Sequence, residues 1–266
     1  MEVLIRQDAE AVGHAVADRI EAEVRRANGA PLTLGLATGS SPVTAYTELV
    51  RRHREESLSF AGVTVFMLDE YVGLPAEHPQ SYHRFIRENF TDHVDIDDAR
   101  VFSPRGDAPD AAAEARRYDE AIREAGGVDL QVLGIGATGH IGFNEPGSSL
   151  VSRTRVKTLV QKTVQDNARF FDSADEVPIH VLTQGVGTIL DARAIVLAAS
   201  GENKAEAIHQ MVEGPISARW TGTALQQHAN VLAVVDEAAA SKLELADYFR
   251  FVEANRADVP GAQATA

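Results

Sequence analysis

Two acid–base side chains, His140 and Glu145, lie inside one glycine-rich turn. The stretch 133–146 reads Leu-Gly-Ile-Gly-Ala-Thr-Gly-His-Ile-Gly-Phe-Asn-Glu-Pro and begins as the end of an apolar strand. Glycine permits positive φ and lets the backbone approach a ligand closely, while histidine transfers protons near neutral pH. A tight strand-to-helix turn with a surface histidine would carry the same pattern, so the turn alone leaves both interpretations open.

A pair of carboxylates follows the apolar run 63–68, which we predict to be a strand. Asp69 and Glu70 stand at its C-terminal end, where residues of an open α/β sheet face the ligand crevice. Asp69 is therefore a candidate base for removing a proton from carbon. An aspartate that caps the next turn would look the same in the sequence.

Small polar residues and two cations together predict a phosphate site. The segment 38–42 joins a predicted strand at 32–37 to a helix that we expect Ser41 to cap and Pro42 to open. Backbone N–H groups and hydroxyls at such a helix start bind phosphate. A turn that binds no ligand would also favour glycine and serine, and most lysines are simply exposed, so this pattern has an alternative interpretation. The predicted phosphate-binding residues are Thr38, Gly39, Ser40, Ser41, Arg169 and Lys204.

The elements that must position these residues alternate between strand and helix along the chain. This order predicts an α/β fold with an open, mostly parallel sheet and helices on both faces, a Rossmann-like three-layer sandwich. The polar turns would then meet at the C-terminal edge of the sheet. These turns are 38–41, 69–70, 137–145 and 200–204.

Local signals set the expected boundaries. Asp8 opens a helix that ends at Asn28, and the segment 238–255 is predicted to be a C-terminal helix. We find no internal repeat and no linker, which predicts a single domain over 1–266. The polar, weakly patterned segment at about 157–182 is predicted to be a mobile lid, and 259–266 a disordered tail.

Composition excludes several classes of function. The net charge of −14 argues against a nucleic-acid partner, although a basic island at 151–170 suggests a small anion site. No cysteine is present, which rules out disulfides and thiolate metal sites and fits a cytoplasmic localisation. No secretory signal or apolar run of membrane-helix length is visible, so we expect no membrane partner. No HxxxH or HExxH pattern occurs, and we predict neither a metal nor a cofactor.

Together these stretches resemble the glucosamine-6-phosphate deaminase family over nearly the whole chain. The motifs are long, in order and correctly spaced. The strongest are Leu-Ala-Thr-Gly-Ser-Ser-Pro at 36–42, Met-Leu-Asp-Glu-Tyr-Val-Gly-Leu-Pro at 67–75, Ser-Tyr at 81–82 and Gly-His-Ile-Gly-Phe-Asn-Glu-Pro at 139–146. Further matches lie at 148–159, 167–172, 183–188 and 213–214.

The resemblance implies an aldose–ketose isomerisation coupled to deamination, in the breakdown of N-acetylglucosamine. Glucosamine 6-phosphate and water would give fructose 6-phosphate and ammonia. By the family pattern, His140 opens the sugar ring with Glu145 in the same relay. Asp69 removes the C2 proton and later aids loss of ammonia. The family's phosphate-binding positions coincide with the six residues already named.

One position departs from the family pattern. Many members carry an acidic or amide residue where this chain has Thr138, two residues before the histidine. A carboxylate there would hold the imidazole in one tautomer and raise its basicity. Threonine offers a hydrogen bond but no charge. We therefore expect His140 to be less basic here and Glu145 to carry more of the relay.

The resemblance also implies regulation and assembly. Some bacterial members are hexamers activated by N-acetylglucosamine 6-phosphate, which predicts a homo-oligomer with a second anion site. The matching effector positions are Ser148, Arg155, Lys157, Thr158 and Tyr248. These residues would equally suit a subunit contact or the rim of the active site.

Two other functions remain open at this point. A 6-phosphogluconolactonase-like hydrolase would share the fold and the phosphate loop but would not need Asp69 as a carbon base. A non-catalytic sugar-phosphate sensor would keep the phosphate turns, and it would have no use for Asp69 or His140.

Overall fold

The structure is a computed structural model that describes residues 1–168, 171, 173 and 176–255; the side chains of Ser40, Lys162 and Asp166 fall outside the description. In that part of the chain ten strands and eight α-helices form. The strands are β1 (Glu2–Arg6), β2 (Leu32–Leu36), β3 (Val63–Met67), β4 (Asp69–Tyr71), β5 (Val101–Phe102), β6 (Leu130–Leu133), β7 (Arg155–Thr158), β8 (His180–Thr183), β9 (Ala194–Ala199) and β10 (Val231–Asp236). The helices are α1 (Ala9–Ala27), α2 (Ser40–Glu56), α3 (Tyr82–Asn89), α4 (Ala111–Glu124), α5 (Gln161–Asn167), α6 (Val186–Leu190), α7 (Ala205–Glu213) and α8 (Ala246–Ala254).

Seven strands build the central sheet in the order β1-β10-β9-β6-β2-β3-β5, and every neighbouring pair is parallel. Both faces are covered, because alternate residues of a strand belong to different apolar cores. In β9, Val196 packs in the core with α1 and α2, whereas Ile195 and Leu197 pack in the core with α4 and α7. The predicted parallel sheet with helices on both faces is confirmed.

A second sheet, of three antiparallel strands in the order β4-β8-β7, is attached at the C-terminal end of β3. Leu68 makes the connection: its N–H donates to Leu36 O at 3.0 Å and its carbonyl accepts from Gln184 N at 2.8 Å. The strand at His180–Thr183 is not predicted from the sequence. The small sheet matters because β4 begins with Asp69.

Local capping explains which boundaries the sequence predicts well. The Asp8 carboxylate accepts from Ala11 N at 2.9 Å, and Asn28 takes the left-handed conformation with φ 48°, so α1 begins and ends as predicted. The expected Ser41 cap is wrong. Helix α2 already begins at Ser40, with Gly39 at the capping position and φ 105°.

The predicted C-terminal helix is also too long, since α8 begins only at Ala246. Two carboxylates organise the preceding turns. Asp236 accepts from Ala239 N at 2.7 Å, and Glu213 accepts from Leu245 N at 2.9 Å. Glu213 lies on α7, distant in sequence, whereas Asp236 caps the turn that directly follows it, and both bonds replace the helical pattern locally.

The segment predicted to be a lid holds α5 and β8, and most of it is described. Arg169 and the tail 259–266 lie outside the described residues. Among the helices that are described, none has the length and apolar character that crossing a bilayer requires.

Candidate active site

The four polar turns line one cavity of about 500 Å3 at the C-terminal edge of the central sheet. Each turn follows a different strand, namely β2, β3, β6 and β9. The cavity therefore lies where an open parallel sheet presents its ligand crevice. The residues that the turns contribute include Thr38, Gly39, Ser41, Asp69, His140, Gly142 and Lys204.

His140 is held by two residues of its own turn. Its Nδ1 lies 3.1 Å from Glu145 Oε2 and 2.8 Å from Thr138 Oγ1. The Thr138 hydroxyl also donates to Glu145 Oε2 at 3.3 Å. A carboxylate only accepts hydrogen bonds, so the proton of a neutral imidazole belongs on Nδ1 and Nε2 is the free acceptor.

Glu145 is buried, with 2% of its surface exposed. Burial by itself would raise the pKa of this carboxyl. The hydrogen bond and charge of His140, with the hydroxyls of Thr163 and Thr138, outweigh burial and hold the pKa of Glu145 below its usual value. Glu145 does not line the cavity itself, but it contacts His140, which does.

Two glycines of the turn leave space for neighbouring aromatic rings. A Cβ on residue 136 would lie 2.2 Å from His140 Cε1 and 2.3 Å from Nε2, so only glycine fits beneath the ring. Gly139 has φ 76°, and a Cβ there would lie 2.3 Å from the Trp220 ring. The glycine pattern seen in the sequence thus serves both the path of the backbone and the close approach of two side chains.

Asp69 lines the same cavity, and only 5% of its surface is exposed. Burial, and after it the neighbouring carboxylate of Glu70, raise the pKa of Asp69 to about 8. A carboxylate with such a pKa binds a proton far more strongly than an ordinary aspartate. That property suits a base which must take a proton from carbon.

Glu70 does not line this cavity and instead connects β4 to α3. Its carboxylate accepts from Tyr71 N at 2.8 Å, Tyr82 N at 3.0 Å and His83 N at 3.0 Å. The last two are the first N–H groups of α3, whose next free donor, Arg84 N, bonds to Ser81 Oγ at 3.0 Å. This capping role of Glu70 is not predicted from the sequence.

The start of α2 lines the same cavity. Thr38, Gly39 and Ser41 line it together with Lys204, which ends a short 3-10 helix over Glu202–Lys204. The backbone of Ser40 opens α2, while Arg169 lies outside the described residues. A helix start and a lysine that line one cavity are features that bind phosphate.

An aromatic wall completes the cavity, and the sequence analysis assigned it no role. Tyr82 and Phe143 stack with ring centroids 6.1 Å apart, and Tyr71 lies 4.9 Å from Tyr82. Asn167 donates to the Tyr71 hydroxyl at 2.8 Å and also lines the cavity. These residues come from three separate parts of the chain, so no local pattern marks them as one group.

The predicted effector residues are distributed over several elements. Arg155, Lys157 and Thr158 share β7. Ser148 is buried in the turn after Glu145, and Tyr248 lies on α8 with 59% of its surface exposed.

Arg155 contacts the glycine-rich turn at 133–146 directly. Its guanidinium donates to Asn144 Oδ1 at 2.9 Å, and the Asn144 amide donates to Gln184 O at 2.8 Å. Burial lowers the pKa of Arg155 from its usual value.

Comparison with known proteins shows the family to which the chain belongs. The profile of the glucosamine-6-phosphate isomerase/6-phosphogluconolactonase family matches residues 7–234. The chain belongs to this family. The resemblance noted in the sequence is therefore confirmed.

Relatives of this chain include both deaminases and 6-phosphogluconolactonases. A glucosamine-6-phosphate deaminase of Rhodococcus jostii (strain RHA1) is 60% identical over 251 residues, which are 94% of this chain and 96% of that protein. The solved structure of a monomeric glucosamine-6-phosphate deaminase is 43% identical with a TM-score of 0.89, over 91% of this chain and 100% of that one. A 6-phosphogluconolactonase from Trypanosoma cruzi is 19% identical with a TM-score of 0.73, over 91% and 97% of the two chains, and shows the fold alone.

Proposed function

We propose that this protein is a glucosamine-6-phosphate deaminase, which converts glucosamine 6-phosphate and water into fructose 6-phosphate and ammonia. The observation that carries the proposal is the meeting of Asp69 and His140 in one cavity that the start of α2 and Lys204 also line. A carbon base, a proton relay for an oxygen and an anion site are the three parts that this reaction needs. The deaminase relatives at 60% and 43% identity support the same assignment.

Ring opening is the first step that the geometry supports. Nε2 of His140 takes the proton of the O1 hydroxyl, the C1–O5 bond breaks, and a proton passes to O5. Glu145 stabilises the positive imidazolium that forms between these transfers, because it lies 3.1 Å from Nδ1 and its pKa is held low. The product of this step is the open-chain aldehyde.

Isomerisation follows at C2. Asp69 removes the C2 proton to give an enolamine, and protonation at C1 gives the C2 imine. Water adds to that imine and ammonia leaves, with Asp69 again handling the proton, which gives fructose 6-phosphate. The raised pKa of Asp69 favours proton capture, and its burial keeps bulk water away from the carboxylate.

We place the substrate phosphate at the N-terminus of α2. Thr38, Gly39, Ser40 and Ser41 would supply N–H and hydroxyl donors, and Lys204 and Arg169 the positive charge. The lining of the cavity by Thr38 and Lys204 supports this placement. A phosphorylated sugar carries charge and does not cross a bilayer unaided, so we propose a cytoplasmic reaction.

Ammonia release from glucosamine 6-phosphate tests the proposal. The parent protein should release ammonia and fructose 6-phosphate in equal amounts, and Asp69→Asn should release neither. Release of 6-phosphogluconate from its lactone, without ammonia from the amino sugar, would instead support the hydrolase. Tight binding of the sugar phosphate without turnover of either compound would support a sensor.

Regulation by N-acetylglucosamine 6-phosphate is a second proposal, with Ser148, Arg155, Lys157, Thr158 and Tyr248 as the effector residues. The observation in its favour is the hydrogen bond from Arg155 to Asn144, next to Glu145, since an anion bound at Arg155 would act on the catalytic turn. Sigmoidal kinetics that become hyperbolic with the effector would support it. Hyperbolic kinetics that the effector leaves unchanged would contradict it, and light scattering would test the proposed homo-oligomer.

A further inference from the structure

The carboxylate of Glu145 is held from two directions. Oε2 faces His140 and Thr138, which belong to its own turn. Oε1 accepts a hydrogen bond of 2.5 Å from the hydroxyl of Thr163, which lies on α5 and is 8% exposed. Thr163 is therefore the one contact of this carboxylate, among the described residues, that comes from outside the glycine-rich turn.

Helix α5 also contacts the strand that carries the carbon base. Asn167 lies one helical turn after Thr163 and donates to the hydroxyl of Tyr71, the last residue of β4. Val164 packs against the small apolar cluster that contains Tyr71 and Phe143. The position of α5 is thus set by contacts with both halves of the proposed machinery.

We propose that Thr163 is a positioning residue that sets the orientation of the Glu145 carboxylate and makes the His140 relay depend on the position of α5. The inference rests on the proposed function and adds a residue to it. The terminal torsion of a glutamate is broad, so a carboxylate held on one oxygen only can rotate. Rotation would move Oε2 away from His140 Nδ1 and release the imidazole from the tautomer that leaves Nε2 free.

The dependence on Thr163 is strong in this chain because Thr138 carries no charge. Glu145 is the carboxylate that contacts His140, and its other two polar contacts, Thr138 and Thr163, are neutral hydroxyls. His140 is the titratable group that faces it. Loss of the Thr163 hydroxyl would leave Oε1 of Glu145 buried without a hydrogen-bond donor. The pairing of Glu145 with His140 would weaken as a result.

Thr163→Val removes the hydroxyl and keeps the shape of the side chain, while Thr163→Ser restores the hydroxyl. Thr154→Val is the matched control, since Thr154 is also buried and donates to a carboxylate, that of Asp119, away from the cavity. The steady-state assay measures ammonia release with ordinary and C2-deuterated glucosamine 6-phosphate. A second readout, independent of turnover, is the 15N chemical shifts of the His140 ring, which report its tautomer.

We expect Thr163→Val to lower kcat about 10-fold with little change in KM, as loss of one hydrogen bond to a charged relay group should. Ring opening is the step that slows, so the C2 deuterium isotope effect on kcat/KM should be no larger than that of the parent. The Nδ1–H tautomer of His140 should become less populated. Thr163→Ser should recover most of both properties, and Thr154→Val should change neither.

A larger isotope effect in Thr163→Val would overturn the proposal, because it would place the damage at proton removal from C2. Unchanged kcat with unchanged 15N shifts would overturn it as well, and so would an equal loss of activity in Thr154→Val. Absence of ammonia release by the parent would contradict the proposed function instead. The 15N shifts would still decide the role of Thr163 in that case.

Discussion

Gly136→Ala is the sharpest perturbation of the proposed relay. The backbone of Gly136 lies outside the left-handed region, so alanine adds only a methyl group. That Cβ would lie 2.2 Å from His140 Cε1 and 2.3 Å from Nε2, far inside van der Waals contact. The ring must move by about 1 Å or more to restore ordinary separations near 3.5 Å.

Movement of the His140 ring would disrupt its hydrogen bonds, because Nδ1 is held at 3.1 Å from Glu145 Oε2 and 2.8 Å from Thr138 Oγ1. A shift of that size breaks both contacts and misplaces Nε2 against the substrate. General acid–base catalysis contributes about 100-fold to 10,000-fold, so we expect kcat to fall at least about 100-fold. Thermal denaturation of the variant should remain cooperative, which separates the effect from unfolding.

A double-mutant cycle makes the test specific. Ammonia release is measured for Gly136→Ala, His140→Ala and the double variant. If the methyl acts only by displacing the imidazole, the double variant should match His140→Ala within about 2-fold. Additive losses, or a Gly136→Ala variant with the activity of the parent, would refute the reasoning that the ring is both fixed and required.

Four further predictions concern the rest of the site. In the parent, kcat/KM should rise with pH towards about 8, because Asp69 must be ionised to act as a base and its pKa is raised to about 8. The raised pKa of Asp69 also makes the stability of the parent depend on pH, because the protonated carboxyl favours the folded state at low pH and this contribution is lost as pH rises to about 8. Asp69→Asn does not titrate, so it should gain stability over the parent between about pH 5 and pH 8. The gain measured by urea titrations should reach up to about 1.4 kcal/mol per pH unit. Glu70→Ala should lower the free energy of unfolding by about 2–4 kcal/mol, since one buried and two half-buried N–H donors lose their acceptor. Lys204→Gln should raise KM about 10-fold while kcat changes little, if the lysine binds the substrate phosphate.

Each of these predictions would be contradicted by a specific result. An activity profile flat from pH 6 to 9 would contradict the role of Asp69 as base, and equal stability of Asp69→Asn and parent at every pH would contradict its raised pKa. A Glu70→Ala protein as stable as the parent would show that α3 finds other capping. A Lys204→Gln variant with lower kcat and unchanged KM would place the lysine at the reacting carbons.

The sequence by itself determined the fold class and the place of the chemistry. Alternating strand and helix patterns are local properties, and so are caps such as Asp8 and left-handed ends such as Asn28. Parallel strands put their C-terminal ends at one edge, which is why Asp69 and His140 could be assigned to one site from separate turns. The family resemblance rested on the same local motifs.

Only the tertiary structure decided which residues support that chemistry. The contact of Thr163 with Glu145 and that of Asn167 with Tyr71 join elements whose approach depends on the small antiparallel sheet, and no local period encodes it. The failed start of the C-terminal helix has the same origin, since α8 is shortened by a carboxylate from α7. Side chains that act across the fold are selected by packing and by the pairing of buried polar groups, and both exist only once the chain is folded.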